Sequence, residues 1–208
     1  MNIIKQGDFT GTIDLQDLEK INHLFAMGPL EGLKGEITIN DGELSISTLT
    51  LDKKQKYVSS FKHKAIFLVY GSAKEWQEIV IDKDLNSLTE IEQFVKESAI
   101  KHNLPLNKAF PFKIKGLSKN ITYHIIYKQD NKPHNKKEHQ RSKVKFSKIK
   151  ENNIIIGFWS DVEGEGVYTH PNKRTHIHYI SEISKDSGHI DAIELNSGAV
   201  LFIPKPNK

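Results

Sequence analysis

No cysteine occurs among the 208 residues. That excludes disulfides and thiolate ligands, so any transition-metal centre must be built from histidine and carboxylate. Long apolar runs are missing as well. The longest, residues 65–70, falls far short of the roughly 20 residues that span a bilayer. The first residues, Met-Asn-Ile-Ile-Lys-Gln-Gly-Asp, lack the apolar core of a secretory signal. These absences lead us to expect a soluble cytoplasmic protein with no membrane partner. Evenly spread positive charge is lacking too. The net charge is +4, but residues 128–150 hold nine Lys or Arg against two acids, a local +7 that leaves −3 elsewhere. A dedicated nucleic-acid binder would be basic throughout, and Phe146 is the one aromatic in that run on which a base could stack. A solvated linker and a lysine-rich strand face are the simpler reading.

What is present points to β-structure with a few helices. Asp14 is placed to cap an amphipathic helix through Leu15, Leu18, Ile21 and Phe25, ending at Met27-Gly28-Pro29. Residues 36–50 read as a strand, an Asn-Asp-Gly turn and a return strand. Glu36 opens that hairpin, and on pattern alone it is an exposed edge carboxylate. Residues 64–71 and 76–81 read as strands. Ser87-Leu-Thr-Glu90 is a capping box for a second helix with Leu88, Ile91, Val95 and Ala99 on one face. A hairpin around Gly116 is expected between residues 110–115 and 121–128. Residues 129–141 are polar and aperiodic, and residues 143–146 alternate basic with apolar as a strand with one solvated face, a common protection for a sheet edge. Residues 153–159 and 199–203 complete the strands. About ten strands and two principal helices, not alternating, predict an α+β fold with mostly antiparallel or mixed sheets. The expected organisation is an α+β lobe over 1–128, a basic linker over 129–142 and a β lobe over 143–208.

The histidines carry the chemistry. Thr175-His-Ile-His-Tyr-Ile180 alternates strictly, so His176 and His178 project from one face of a strand. Lys185-Asp-Ser-Gly188 is turn chemistry, and His189-Ile-Asp-Ala-Ile is a return strand. If His189 lies opposite His178, their Cβ atoms are roughly 5 Å apart. Three imidazoles then converge and leave a fourth metal position open, the arrangement of catalytic rather than structural Zn²⁺. Against this stands the plainer reading: with 10 histidines in the chain, one His-x-His pair on an exposed strand is unremarkable.

Two stretches together resemble the α-acetolactate decarboxylases. Met27-Gly-Pro-Leu-Glu-Gly-Leu-Lys-Gly-Glu36, continuing to Asp41-Gly42, is similar to that family's Gly-Thr-Phe-x-x-Leu-Asp-Gly-Glu segment and its second Asp-Gly. Gly157-Phe158-Trp159, His176-Ile-His178-Tyr-Ile-Ser-Glu182 and Gly188-His189 are similar to its Gly-Phe-Trp, His-x-His-Phe-x-Ser-Glu and Gly-Gly-His run. Weaker similarity extends over most of the chain. The resemblance implies a two-lobed homodimer in which His176, His178 and His189 hold Zn²⁺. It also implies removal of CO₂ from 2-acetolactate to give acetoin, with Glu36 as proton relay. A Lewis acid on the ketone and hydroxyl oxygens stabilises the enediolate left as CO₂ departs. We expect Glu182 to orient a histidine or the hairpin from behind.

The chain departs from the family at two positions. Pro29 falls where the family has threonine, and His124 falls where it has the arginine expected to hold the substrate carboxylate, with no arginine over residues 120–140. His124 binds a carboxylate only when protonated and lacks the guanidinium fork. Lys128, Lys119 or the Lys173-Arg174 pair with His170, just before the histidine strand, are the alternative anion contacts. Two rival functions follow: a relative acting on another 2-hydroxy-3-oxo acid, and a non-catalytic metal- or ligand-binding protein. His176-x-His178 with Glu182 also matches half of a cupin motif, but residues 198–204, which echo the other half, are followed by no histidine.

Overall fold

Residues 15–27 do not form the expected helix. In the computed structural model, which describes residues 7–133, 135–161, 164, 168, 169 and 172–206, a two-residue strand β1 (Ile13–Asp14) leads into one 3-10 turn, Leu15–Asp17. Asp14 caps that turn by accepting from the Gln16 amide at 3.0 Å. His23, at φ 55°, then turns the chain into β2 (Leu24–Pro29), all six residues of which are buried. Leu15, Leu18 and Ile21 reach the first sheet's core from the irregular turn, and Phe25 alone of the expected helical face lies in β2.

The next hairpin is as the sequence predicts. β3 (Glu36–Asn40) pairs with β4 (Glu43–Leu49) across Asp41 and Gly42, whose φ values of 52° and 84° suit a turn that needs two left-handed residues. With β2, β5 (Gln55–Val58) and β7 (Val69–Ser72) they make a sheet in the order β5-β4-β3-β2-β7, beside a small pair of β1 with β6 (Lys64–Ala65). Along β3, Ile37 and Ile39 enter that sheet's own core, which leaves Glu36 and Thr38 to face the other way.

The second sheet is built from β8 (Trp76–Val80), β9 (Phe110–Ile126), β10 (Lys143–Trp159), β11 (Thr175–Ser181), β12 (Ser187–Leu195) and β13 (Val200–Pro204). Its order is β10-β11-β12-β9-β13-β8, and a further β10-β9 pairing closes β9, β10, β11 and β12 into a ring. Helix α1 (Leu88–Lys101) starts at Ser87, whose hydroxyl accepts from the Glu90 amide at 3.2 Å, and it packs Ile91, Val95 and Ala99 into this sheet's core. Phe25, Met27 and Val69 of one sheet meet Ile156 and Phe158 of the other in a shared cluster that holds the sheets together. Among the described residues no helix is long and apolar enough to cross a membrane.

Two expectations are corrected here. β9 is one continuous strand of 17 residues with no hairpin at Gly116. That glycine admits a close approach, because a Cβ there would lie 2.5 Å from the Ala199 Cβ. Residues 129–142 are likewise the end of one long hairpin, containing the short helix α2 (Lys136–Arg141), since β9 and β10 pair from Ile126↔Lys143 to Phe110↔Trp159. The sheets therefore divide the chain elsewhere than at this segment: β8 and β9 belong with β10–β13.

Candidate metal centre

The histidines line up because three strands put them in register. His176 and His178 alternate onto one face of β11, His189 on β12 stands directly opposite His178, and His124 on β9 stands directly opposite His189. Opposed residues of antiparallel strands project from the same face. Ring centroids are 5.2 Å apart for His176–His178, 5.0 Å for His176–His189 and 5.3 Å for His178–His189. Gly188 permits the β12–β9 approach: a Cβ there would lie 2.7 Å from the Tyr123 ring and 2.8 Å from the His124 carbonyl oxygen.

One ligand atom from each of His176, His178 and His189 lies within 4.8 Å of the others, and the nearest pair, His176 Nε2 and His189 Nδ1, is 3.1 Å apart. Two nitrogens on a tetrahedral zinc at the usual bond length are roughly 3.3 Å apart, so the observed spacings bracket what the ion requires. The donor set, imidazoles without thiolate, suits Zn²⁺ and equally copper, iron or nickel. His178 is fully buried while His176 and His189 are partly exposed, so the cluster has a closed and an open side.

The other sheet closes the buried side. Thr38 Oγ1 lies 2.9 Å from His178 Nδ1. An Nδ1–H donated to that hydroxyl fixes the tautomer whose Nε2 lone pair faces the cluster. Thr38→Val, which keeps the shape and removes the acceptor, is expected to weaken zinc binding roughly 10- to 100-fold; competition against a chromophoric chelator measures it.

Glu36 sits beside His178 and is not the exposed edge carboxylate its sequence position suggests. Its side chain is buried, with Oε2 3.9 Å from His178 Nε2, Oε1 4.0 Å from His124 Nε2, and Oε1 accepting from the Ile126 amide at 3.2 Å. Burial pushes its carboxyl up to about 8, against the opposing pull of the Ile126 amide and the Lys143 charge. His124 is buried as well, and burial holds its pKa below the usual histidine range despite Asp191. Asp191 Oδ1 lies 2.9 Å from His124 Nδ1. Burial works to raise the Asp191 carboxyl, but His124 and the lysines Lys145 and Lys143 outweigh it and hold it low. A bulge in β12 between Ile190 and Ala192 is what aims Asp191 at His124. An ionised Asp191 beside a neutral His124 makes His124 a poor cationic anchor for a carboxylate.

The remaining residues singled out in the sequence lie elsewhere. Glu182 is exposed in the turn between β11 and β12, so it does not orient a histidine; Thr38 and Asp191 do that. Lys128 places its ammonium over the Phe9 ring at 5.6 Å, and Lys119 pairs with Asp84. Arg174 precedes β11, its amide donating to Glu92 of α1 at 2.8 Å. His170 lies outside the described residues. Pro29 stands directly across from Glu36. Thr38, Asp191 and Lys143 escaped the sequence reading. The available signal was alternation, since Thr38 is two residues from Glu36 and Asp191 two from His189.

The family model for alpha-acetolactate decarboxylase matches residues 1–205. A search of curated proteins found no match. Among solved structures, the fold resembles an alpha-acetolactate decarboxylase from Bacillus subtilis strain 168, with a TM-score of 0.80 at 20% identity, covering 100% of this chain and 83% of that one. It also resembles a Staphylococcus aureus protein of unknown function described as similar to alpha-acetolactate decarboxylase, with a TM-score of 0.73 at 17% identity, covering 96% and 80%.

Proposed function

Because the chain belongs to the alpha-acetolactate decarboxylase family, we propose that it removes CO₂ from 2-acetolactate to give acetoin, at a zinc site made by His176, His178 and His189. The observation that carries this reading is a buried carboxyl, Glu36, held 3.9 Å from His178 Nε2 on the closed side of a three-histidine cluster. When bound, zinc supplies Lewis acidity that takes up the negative charge developing on the substrate's ketone and hydroxyl oxygens as CO₂ leaves.

The chain's own residues supply the rest. The bond between the tertiary carbon and the carboxylate breaks, the electron pair stays on the substrate, and one proton must reach the carbon that lost CO₂. Glu36 is the group placed to hold that proton: burial raises its carboxyl to about 8 in the metal-free protein, well above the ordinary glutamate range. The Ile126 amide fixes one of its oxygens. His124, tied through Nδ1 to Asp191, stands beside it with Nε2 4.0 Å from Glu36 Oε1. Thr38 holds His178 in orientation. The cytoplasmic location and homodimer expected from the sequence belong to the same proposal.

The test is to incubate zinc-loaded protein with racemic 2-acetolactate and follow acetoin and CO₂ directly. Equimolar acetoin and CO₂ well above the spontaneous rate support the reading; the spontaneous rate alone rejects it. The imidazole of His124 at the position where an arginine is expected favours one second reading, a homologous 2-hydroxy-3-oxo acid with a larger alkyl group. Higher kcat/KM for the ethyl homologue than for 2-acetolactate would establish that version.

A further inference from the structure

We propose that Lys143 is the cation that receives the substrate's carboxylate, making it the residue that selects an acid over a neutral ketone at this site. The inference rests on the decarboxylase reading and deepens it.

The register of the long hairpin carries the argument. Lys143 is the first residue of β10 and stands directly opposite Ile126, with Lys145 opposite His124. Cross-strand partners share a face, so both lysines project from the face that carries His124, at the end of the row His178–His189–His124. Ile126 is the residue whose amide binds Glu36 Oε1 at 3.2 Å. Lys143 is partly buried there, on a flexible stem of four carbons that spans several ångströms. The effect of its charge on Glu36, His124 and Asp191 is consistent with that placement.

The other nearby ammonium groups are occupied. Lys145 is largely exposed and lies 3.5 Å from Asp191 Oδ2, Lys34 pairs with Asp130 at 2.7 Å, Lys128 lies over Phe9, and Lys119 pairs with Asp84. Among the described residues Lys143 forms no ion pair. It is a partly buried positive charge on the face that carries His124, opposite the residue whose amide binds Glu36. An incoming carboxylate supplies the missing counter-charge. A lysine does so as a point charge without the fixed fork of a guanidinium, which leaves more freedom in how the acid is held.

The test uses zinc-loaded protein and two probes that cannot lose CO₂ as the substrate does. One is the diol acid obtained by reducing the ketone of 2-acetolactate; the other is its primary amide, of the same shape without the charge. Binding is measured by calorimetry, with zinc content per chain checked in every variant. Lys143→Met and Lys143→Gln are expected to weaken the acid by roughly 10- to 100-fold, as for loss of a charge-assisted contact, and to leave the amide unchanged. Lys143→Arg should stay near wild type, and Lys119→Met should change neither probe. Equal loss of acid and amide, no loss of either, or acid-selective loss in Arg174→Gln instead overturns the assignment. If the acid-selective loss appears but wild type forms no acetoin, the decarboxylase reading fails while the Lys143 anion site stands. If acetoin forms at a rate and KM that Lys143→Met leaves unchanged, the Lys143 assignment alone fails.

Discussion

Glu36→Gln is expected to lower kcat for acetoin formation by roughly 10²- to 10⁴-fold, the usual scale for loss of a positioned proton donor. Gln keeps the size and the hydrogen bond from the Ile126 amide but has no proton to give. Zinc content should therefore stay at wild-type level, which separates loss of chemistry from loss of the site. The pH dependence has a definite sign. The competent form is the neutral acid, so wild-type kcat should fall as pH rises through the raised carboxyl pKa, about 8 without metal and lower once a dication is bound beside it. Stability of the metal-free protein should follow the same group. Folded Glu36 holds its proton more tightly than in the unfolded chain, so its contribution is fully present below the ordinary glutamate range. That contribution is lost as pH climbs toward about 8. Glu36→Gln should flatten that decline in urea midpoints measured across the range.

His178→Ala is expected to weaken zinc binding by more than the roughly 10- to 100-fold that follows loss of an outer-shell partner, and to take acetoin formation to the spontaneous rate. The reason is position. His178 is the fully buried member of the cluster, directly opposed to His189, and the one gripped by Thr38. Because its removal also leaves a cavity between the sheets, some loss of stability is expected from packing alone. His176→Ala supplies the complementary measurement: it is half-buried, so it should lose zinc and turnover with little change in the thermal midpoint. Retention of stoichiometric zinc in both variants would remove the histidines from the metal site.

Much of this site was legible because it is local. Strict alternation in β11 put His176 and His178 on one face, and the turn residues after Ser181 set the pairing that brings His189 opposite His178. Glu36 was legible only through the family resemblance. Its burial comes from a different sheet, through Ile126 and His178, residues 90 or more positions away, and no local pattern encodes such a contact. The same limit explains Glu182. It follows the histidine strand closely enough to look like a partner, yet the chain has already entered the exposed turn. Helical spacing in residues 15–27 misled because Leu15, Leu18 and Ile21 pack into the core from an irregular turn, while Phe25 belongs to a strand. The lysine-rich start of β10 was read as a solvated sheet edge. Register puts Lys143 and Lys145 on the face that carries His124, and of the two Lys145 is exposed while Lys143 is partly buried.

The most direct test of the central claim is a titration of metal-stripped protein with Zn²⁺, reading the initial rate of CO₂ release from 2-acetolactate at each addition. The account predicts no catalysed release at zero metal, a linear rise, and a sharp break at one zinc per chain. Catalysed release at full rate before any zinc is added, or a zinc-saturated protein that releases CO₂ only at the spontaneous rate, would contradict it.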